Sequence, residues 1–267
     1  MEQVLMRDDA PLSPEQWALI DQTVQQVASR ILVGRRCLNL YGPVGYGAYT
    51  VPLYTYSNKD GDAIRAKLVR QLPMLTLEHD FMVSVRDLEL FNQGQPFDTA
   101  PVAAAAANCA FAEDRLIFNG NNKEGVEGLL NAKGRLKLPL GDWSVEGQAL
   151  SDVIAALAQL TAGGYYGPYA LIINPLKMAL VQRVYGRRGI LESDLLKEQA
   201  QGGLLVTPVV PENKVVIVSA QPQYLDLAVG QDIVTAFIET ANMEHRFRVM
   251  ETLTLRIKQA GAICTLE

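Results

Sequence analysis

Cysteine and histidine are scarce in this chain, and their scarcity excludes most common catalytic and metal-binding arrangements. Three cysteines, Cys37, Cys109 and Cys264, are odd in number and far apart, so they build neither a disulfide framework nor a CxxC metal site. They read as buried thiols in a reducing cytoplasm. The two histidines, His79 and His245, fall on separate predicted strands with no third group assignable to either, which leaves Ser-His-Asp and Cys-His catalysis unsupported. Also missing are a GxSxG elbow, an HExxH pair, and the GxGxxG and GxxxxGKS spacings of phosphate loops. No catalytic, cofactor-binding or metal-ligating residue is assigned. No stretch approaches the ~20 apolar residues of a membrane helix, and the N-terminus has no cationic segment followed by an apolar one. The chain is expected neither to enter a membrane nor to be exported by a visible signal. Lys and Arg number 24 against 29 Asp and Glu, a net charge of −5, and without a basic tail or arginine stripe this argues against a nucleic-acid binder. There is no internal repeat and no low-complexity linker.

What the chain does have is one long, almost wholly apolar helix. Pro101-Val102-Ala103-Ala104-Ala105-Ala106-Ala107-Asn108-Cys109-Ala110-Phe111-Ala112 starts after Asp98 or Thr99, either of which can cap it, and runs on through Glu113-Asp114 to a stop at Asn119-Gly120. So little polar surface requires burial on most sides, and the alanines let neighbouring backbones approach closely. It reads as a spine. Glu113 and Asp114 point about 100° apart on a helix, too far for shared acid/base work, and are read as holding the helix end against its neighbours. An earlier helix starts at Ser13-Pro14 with Gln16 in the capping-box position and Leu12 as a staple, and Trp17, Ile20, Val24, Val27 and Ile31 form its apolar face.

The remaining pattern is mixed. Residues 48–72, with Tyr54, Tyr56 and a turn at Asn58-Lys59-Asp60-Gly61, are too polar to fill a core and predict an extended hairpin. Alternation from Leu75 to Arg86 predicts a strand with His79 on its apolar face as a hydrogen-bonded packing residue, whereas His245 has no visible partner. A second lobe from about Leu136 to Val229 carries helices at Ser151–Leu160 and Leu176–Tyr185, a cationic turn at Gly186-Arg187-Arg188-Gly189, and β-rich stretches at Ala170–Ile173, Leu204–Val210, Val215–Val218 and Leu225–Val229. Strands at Ile233–Glu239 and Arg246–Ile257 are expected to return beside the spine.

Glu113-Asp114-x-x-Ile117-Phe118-x-Gly120, followed by Gly125-x-x-Gly128-Leu129-Leu130, resembles the central signature of the encapsulins, shell proteins with the fold of tailed-phage capsids. Further matches run in order along the chain: Ala10-Pro11-Leu12, Gln16-Trp17, Gly34-Arg35, Gly42-Pro43, Leu72-Pro73, Gly167-Pro168-Tyr169, Gly202-Gly203, Thr207-Pro208 and Gly230-Gln231-Asp232. The resemblance implies an α+β, HK97-like capsid protomer. Residues 1–47 would hold the N-terminal helix and the start of the peripheral domain, 48–72 the extended E-loop that reaches over a neighbour, 73–135 the peripheral domain with spine helix 100–118, 136–232 the axial domain, and 233–267 a return to the peripheral domain.

The implied function is self-assembly into a closed icosahedral shell of about sixty identical subunits, cytoplasmic, enclosing cargo enzymes that carry a C-terminal targeting peptide. Ferritin-like iron oxidases, haemerythrin-like proteins and dye-decolourising peroxidases occur as cargo in this family, so the shell would serve iron storage or oxidative-stress defence. The resemblance places the peptide on the inner surface at Val27, Ile31 and Arg35, with a second wall at Ile233 and Phe237; Asn39 stands where relatives have an aspartate, which leaves a salt bridge there in doubt. Arg187 and Arg188 would lie at or near the five-fold pore, either one facing the channel. Some relatives bind a flavin at an aromatic residue that corresponds to Arg86 here, so no flavin is expected. The competing readings are a phage major capsid protein packaging DNA, disfavoured by the acidic balance and the N-terminal helix in place of a basic arm, and an enzyme of unassigned reaction.

Overall fold

The computed structural model describes residues 2–57, 64–186 and 189–267. After a short turn, α1 (Glu2–Leu5), helix α2 (Pro14–Ile31) starts at a capping box, with the Ser13 N–H donating to Gln16 Oε1 at 2.7 Å and the Gln16 N–H to Ser13 Oγ at 3.3 Å. A single turn, α3 (Gly34–Cys37), and β1 (Leu40–Tyr41) follow. The polar segment forms the expected hairpin, β2 (Thr50–Ser57) against β3 (Arg65–Pro73), as a two-stranded sheet of its own; the expected turn at Asn58-Lys59-Asp60-Gly61 lies outside the described residues. Next come β4 (Leu75–Ser84), α4 (Val85–Asn92) and the spine, α5 (Ala100–Asn119). Asp98 caps the spine, accepting the Ala100 N–H at 2.9 Å.

The second lobe comprises β5 (Leu136–Leu138), α6 (Gln148–Ala162), β6 (Tyr169–Ile173), α7 (Pro175–Val181), β7 (Val184–Tyr185), β8 (Ile190–Leu191), α8 (Glu192–Gln199), β9 (Gly203–Val206) and β10 (Val215–Ser219). Two long strands, β11 (Leu225–Ala241) and β12 (Glu244–Ile257), and a terminal strand, β13 (Ile263–Leu266), complete the chain. The larger strands make two sheets, β1-β11-β12-β4 and β5-β13-β10-β6-β9. The spine lies on the first sheet, where Val102, Ala106 and Cys109 pack with Phe81, Phe237, Phe247 and Val249, and α2 adds Ile20 and Val24 to that core. A second core in the other lobe gathers Trp143, Val153, Leu160, Leu171, Ile173 and Ile217. At the spine's end the chain doubles back: the N–H groups of Leu129 and Leu130 donate to the carbonyls of Ile117 and Phe118 at 2.9 and 2.8 Å, satisfying acceptors that a helix C-terminus leaves free. Gly120 and Gly128 make this possible, because a Cβ on Gly128 would sit 2.3 Å from the Gly120 nitrogen.

Several expected elements differ. The strand from Leu75 stops at Ser84, whose hydroxyl accepts the Asp87 N–H at 3.0 Å and starts a helix, so Val85 and Arg86 are helical. The helix expected to reach Tyr185 ends at Val181, and Arg183 turns away to hold Glu192 Oε2 at 2.9 Å and the carbonyls of Trp143, Ser144 and Val145. Strand β9 stops at Val206, short of Val210. The stretches at 225–229 and 233–239 are one strand, β11, kinked by register shifts between Val229 and Val234. Strand β13 joins the second sheet by pairing with β10 and β5. His245 does have a partner, the Thr240 hydroxyl 2.7 Å from Nδ1. His79 is half-buried and finds no hydrogen-bond partner among the described residues. All three cysteines are free and buried.

Candidate functional site

The Glu113-Asp114 pair near the end of the spine organises the junction of α2, α3, β11 and β12. Asp114, fully buried, accepts the Val33 N–H at 3.1 Å and the Gly34 N–H at 2.9 Å, which pins the bend between α2 and α3 onto the spine. Gly34 sits close against the spine there, since a Cβ would lie 2.3 Å from Ile117 Cδ1 and that buried side chain would have to move. The bend delivers Arg35 to three carboxylates. Its Nε donates to Glu113 at 2.9 Å, one terminal nitrogen reaches Asp232 at 2.6 Å, and the other reaches Glu251 at 2.8 Å. Glu113 and Glu251 are fully buried, whereas the Asp232 side chain is 60% exposed and forms the open rim of the cluster.

Burial and the neighbouring Glu113 charge hold the Glu251 carboxyl well above the usual carboxylate range, against the pull of Arg35. Burial likewise pushes Asp114 up to about 6, opposed by the two amides it accepts. For Arg35, burial acts to weaken the cation, but the hydrogen bond and charge of Glu113 with the charge of Glu251 outweigh it and hold the guanidinium above its ordinary range. Cys109 lies 3.7 Å from Glu251 Oε1, and burial and that carboxyl raise its thiol far above the range of a reactive cysteine. One arginine facing two buried carboxylates is therefore a structural knot, in which the Glu251 carboxyl is held well above its ordinary range. Among the described residues, no group of three or more His, Cys, Asp or Glu side chains has an arrangement suited to a metal.

Beside the knot opens a cleft of about 310 Å³ lined by Gln25, Ala28, Ser29, Leu32, Arg35, Arg36, Asp232 and Ile233. Of the six residues expected at a peptide site, Arg35 and Ile233 line this cleft. Val27 is half-buried at the edge of the core around Phe81 and Phe247, Ile31 packs beside Ala28, Leu32 and Ala110, and Phe237 is buried 5.5 Å from the Phe247 ring. Asn39 lies apart, with its side-chain amide donating to the Ala220 carbonyl at 2.9 Å and its surface in a different cleft with Leu40, Tyr41 and Tyr54. The cleft's helical wall is the stripe Gln25, Ala28, Ser29, Leu32, spaced i, i+3, i+4, i+7. Reading for the most apolar face selects the stripe beside it, which goes to the core; the signal for the cleft is the small and polar stripe next to it. Arg187 and Arg188, expected at a pore, lie outside the described residues.

Comparison with known proteins bears on what this arrangement belongs to. The sequence profile described as "Encapsulating protein for peroxidase" matches residues 1–254. The type 1 encapsulin shell protein EncA of Myxococcus xanthus is 37% identical, over 100% of this chain and 97% of its own. Among solved structures, the virus-like particle from Pyrococcus furiosus superposes with a TM-score of 0.78 at 26% identity, covering 93% of this chain and 98% of that one. The capsid of Myoviridae phage XM1 gives 0.65 at 14% identity, covering 88% and 91%, a likeness of fold alone.

Proposed function

The chain belongs to the encapsulin family, with its HK97-like fold, and is a shell protein of a nanocompartment; on that premise we propose that its copies close into an icosahedral shell of about sixty subunits in the cytoplasm and hold a cargo enzyme by its C-terminal peptide. The observation that carries the assembly reading is the β2–β3 hairpin, which stands as a sheet of its own with Arg65 to Gln71 exposed throughout and Leu68 and Val69 about half exposed. An isolated two-stranded ribbon with apolar residues in water requires a partner, and a neighbouring copy supplies one. The chain is structural and the chemistry belongs to the cargo, consistent with buried thiols and dispersed histidines. A peroxidase agrees with the family's description; ferritin-like and haemerythrin-like cargo are the alternatives.

The cleft beside Arg35 is the proposed dock, with Val27, Ile31 and Phe237 in the adjoining cores and Asn39 apart from it in a separate cleft. It offers an apolar floor in Ala28, Leu32 and Ile233, a carboxylate rim in Asp232 and a cationic rim in Arg36. Each apolar anchor of a bound peptide contributes roughly 1–3 kcal/mol when buried. The test is co-expression with a peptide-tagged reporter. Ile233→Asp, and separately Val27→Asp with Ile31→Asp, are expected to give intact but empty shells; loading equal to the parent's in both removes the dock from this surface.

A further inference from the structure

Among the described residues, the β2–β3 hairpin is attached to its own subunit at two points, an apolar root and a polar, partly solvent-exposed contact beyond it. We propose that Thr55 and Gln259 form a latch that fixes the angle at which the hairpin leaves the subunit, and thereby the curvature of the assembled wall. The proposal rests on the shell reading above.

The first attachment is the root. Val51, Leu53 and Leu72 are buried on Ala228. Arg256 donates to the Pro52 carbonyl at 3.3 Å and is itself immobilised, with two 2.7 Å bonds to Asp226 and its guanidinium 3.8 Å from the Tyr41 ring centre. Lys258 braces the same Asp226 at 2.7 Å. Immediately beyond the root the pairing of β2 with β3 slips between Leu53 and Tyr54. A register shift of this kind bends and twists a ribbon locally, so the direction of the outer hairpin is not inherited from its root.

The second attachment lies just past that slip. Thr55 Oγ1 donates to the Lys258 carbonyl at 3.2 Å, and Gln259 Nε2 donates to Thr55 Oγ1 and to the Tyr56 carbonyl, each at 3.3 Å. Pro52 and Thr55 are three residues apart, ~10 Å along a strand, and two fixed points that far apart define a direction where one does not. Strand β3 contributes little, because it is exposed from Arg65 to Gln71. The latch bonds join residues about two hundred positions apart in sequence yet are partly solvent-exposed, and neither Thr55 nor Gln259 belongs to a buried apolar cluster. In a closed assembly every copy repeats the same contacts, so the angle between an arm and its body decides whether the contacts close and at what size.

The experiment uses the full chain and compares wild type, Thr55→Ser, Thr55→Val and the double variant Thr55→Val with Gln259→Ala. Particle mass distributions are read by mass photometry and electron microscopy, and amide hydrogen exchange is followed separately for the hairpin and for the β4–β12 pairing. Wild type and Thr55→Ser, which keeps the hydroxyl, are expected to give one narrow size class. In the double variant that class falls from the great majority of particles to a minority among mixed sizes and open fragments, with faster exchange in β2 and unchanged protection in β4–β12. Should the double variant fold poorly, Thr55→Val alone, isosteric and lacking only the hydroxyl, carries the same expectation in weaker form. A folded variant series that keeps the wild-type size class overturns the latch while leaving the shell intact. A wild-type chain that stays monomeric overturns the shell reading, and the latch falls with it; that outcome is recognised in the wild-type arm alone.

Discussion

Glu251 and Glu113 are both fully buried on one arginine, and burial together with the Glu113 charge holds the Glu251 carboxyl well above its ordinary range, against the pull of Arg35. A carboxyl whose folded pKa is raised stabilises the fold fully below its unfolded pKa of about 4.3 and loses that contribution as pH rises through the folded value. Asp114 acts in the same direction, its contribution disappearing between its unfolded value of about 3.9 and about 6. Thermal unfolding followed from pH 5 to 9 should therefore show a falling midpoint for wild type, whereas Glu251→Gln, isosteric with the protonated acid, should give a flatter profile. A Gln variant that is as pH-sensitive as the parent contradicts Glu251 as a source of that pH dependence. Asp114→Ala should cost ~2–4 kcal/mol, because it leaves two buried amides at Val33 and Gly34 without an acceptor; a loss under 1 kcal/mol in denaturant unfolding contradicts the pinning role. Adjacent helical carboxylates were legible as anchors in the sequence, since their divergence excludes shared chemistry. Their partners were not, because the Val33 and Gly34 amides and Arg35 reach them over separations of about eighty residues, and Arg35 in turn meets Asp232 and Glu251 about two hundred residues away, which no local pattern encodes.

Helix α5 buries Ala105, Ala106, Cys109 and Ala110 against α2 and the first sheet, so its alanines are spacers at close contacts. Ala106→Leu or Ala110→Leu should destabilise by roughly 1–3 kcal/mol through overpacking, measurable as a shift of the urea midpoint at constant slope; neutrality means that the helix has room that the structure lacks. Deleting residues 56–64 from the hairpin should leave the folded body soluble as small oligomers, and complete shells from that variant dismiss the hairpin as an assembly element. Elements with local punctuation were readable: Ser13 and Gln16 for α2, Asp98, Pro101 and Gly120 for α5, the polar hairpin of residues 48–72. Those set by tertiary context were not. Residues 225–229 and 233–239 read as two separate β stretches, yet β11 carries Gly230-Gln231-Asp232 between them as an irregularity because β12 pairs along both sides of it. The cleft was missed for a related reason: periodicity finds the stripe that a helix buries, and a docking wall is the less apolar stripe beside it.

For the whole molecule, the order of short motifs along the chain conveys more than any one of them, which is why α+β architecture and shell membership are legible in the sequence while the strand order of the two sheets is not. A second consequence belongs to the assembled object. A ring formed from Arg187 or Arg188 around a five-fold axis would be screened less than on an open surface, hindering bare cations and favouring small anions. In shells loaded with a turnover reporter, Arg187→Ser with Arg188→Ser should lower the ratio of anionic to cationic substrate flux; an unchanged ratio excludes these arginines as a gate and leaves the shell standing. The most direct measurement is electron microscopy of this chain expressed alone. A population of closed, empty icosahedral particles of about sixty subunits is expected, and a folded chain that remains monomeric at micromolar concentration contradicts the shell assignment.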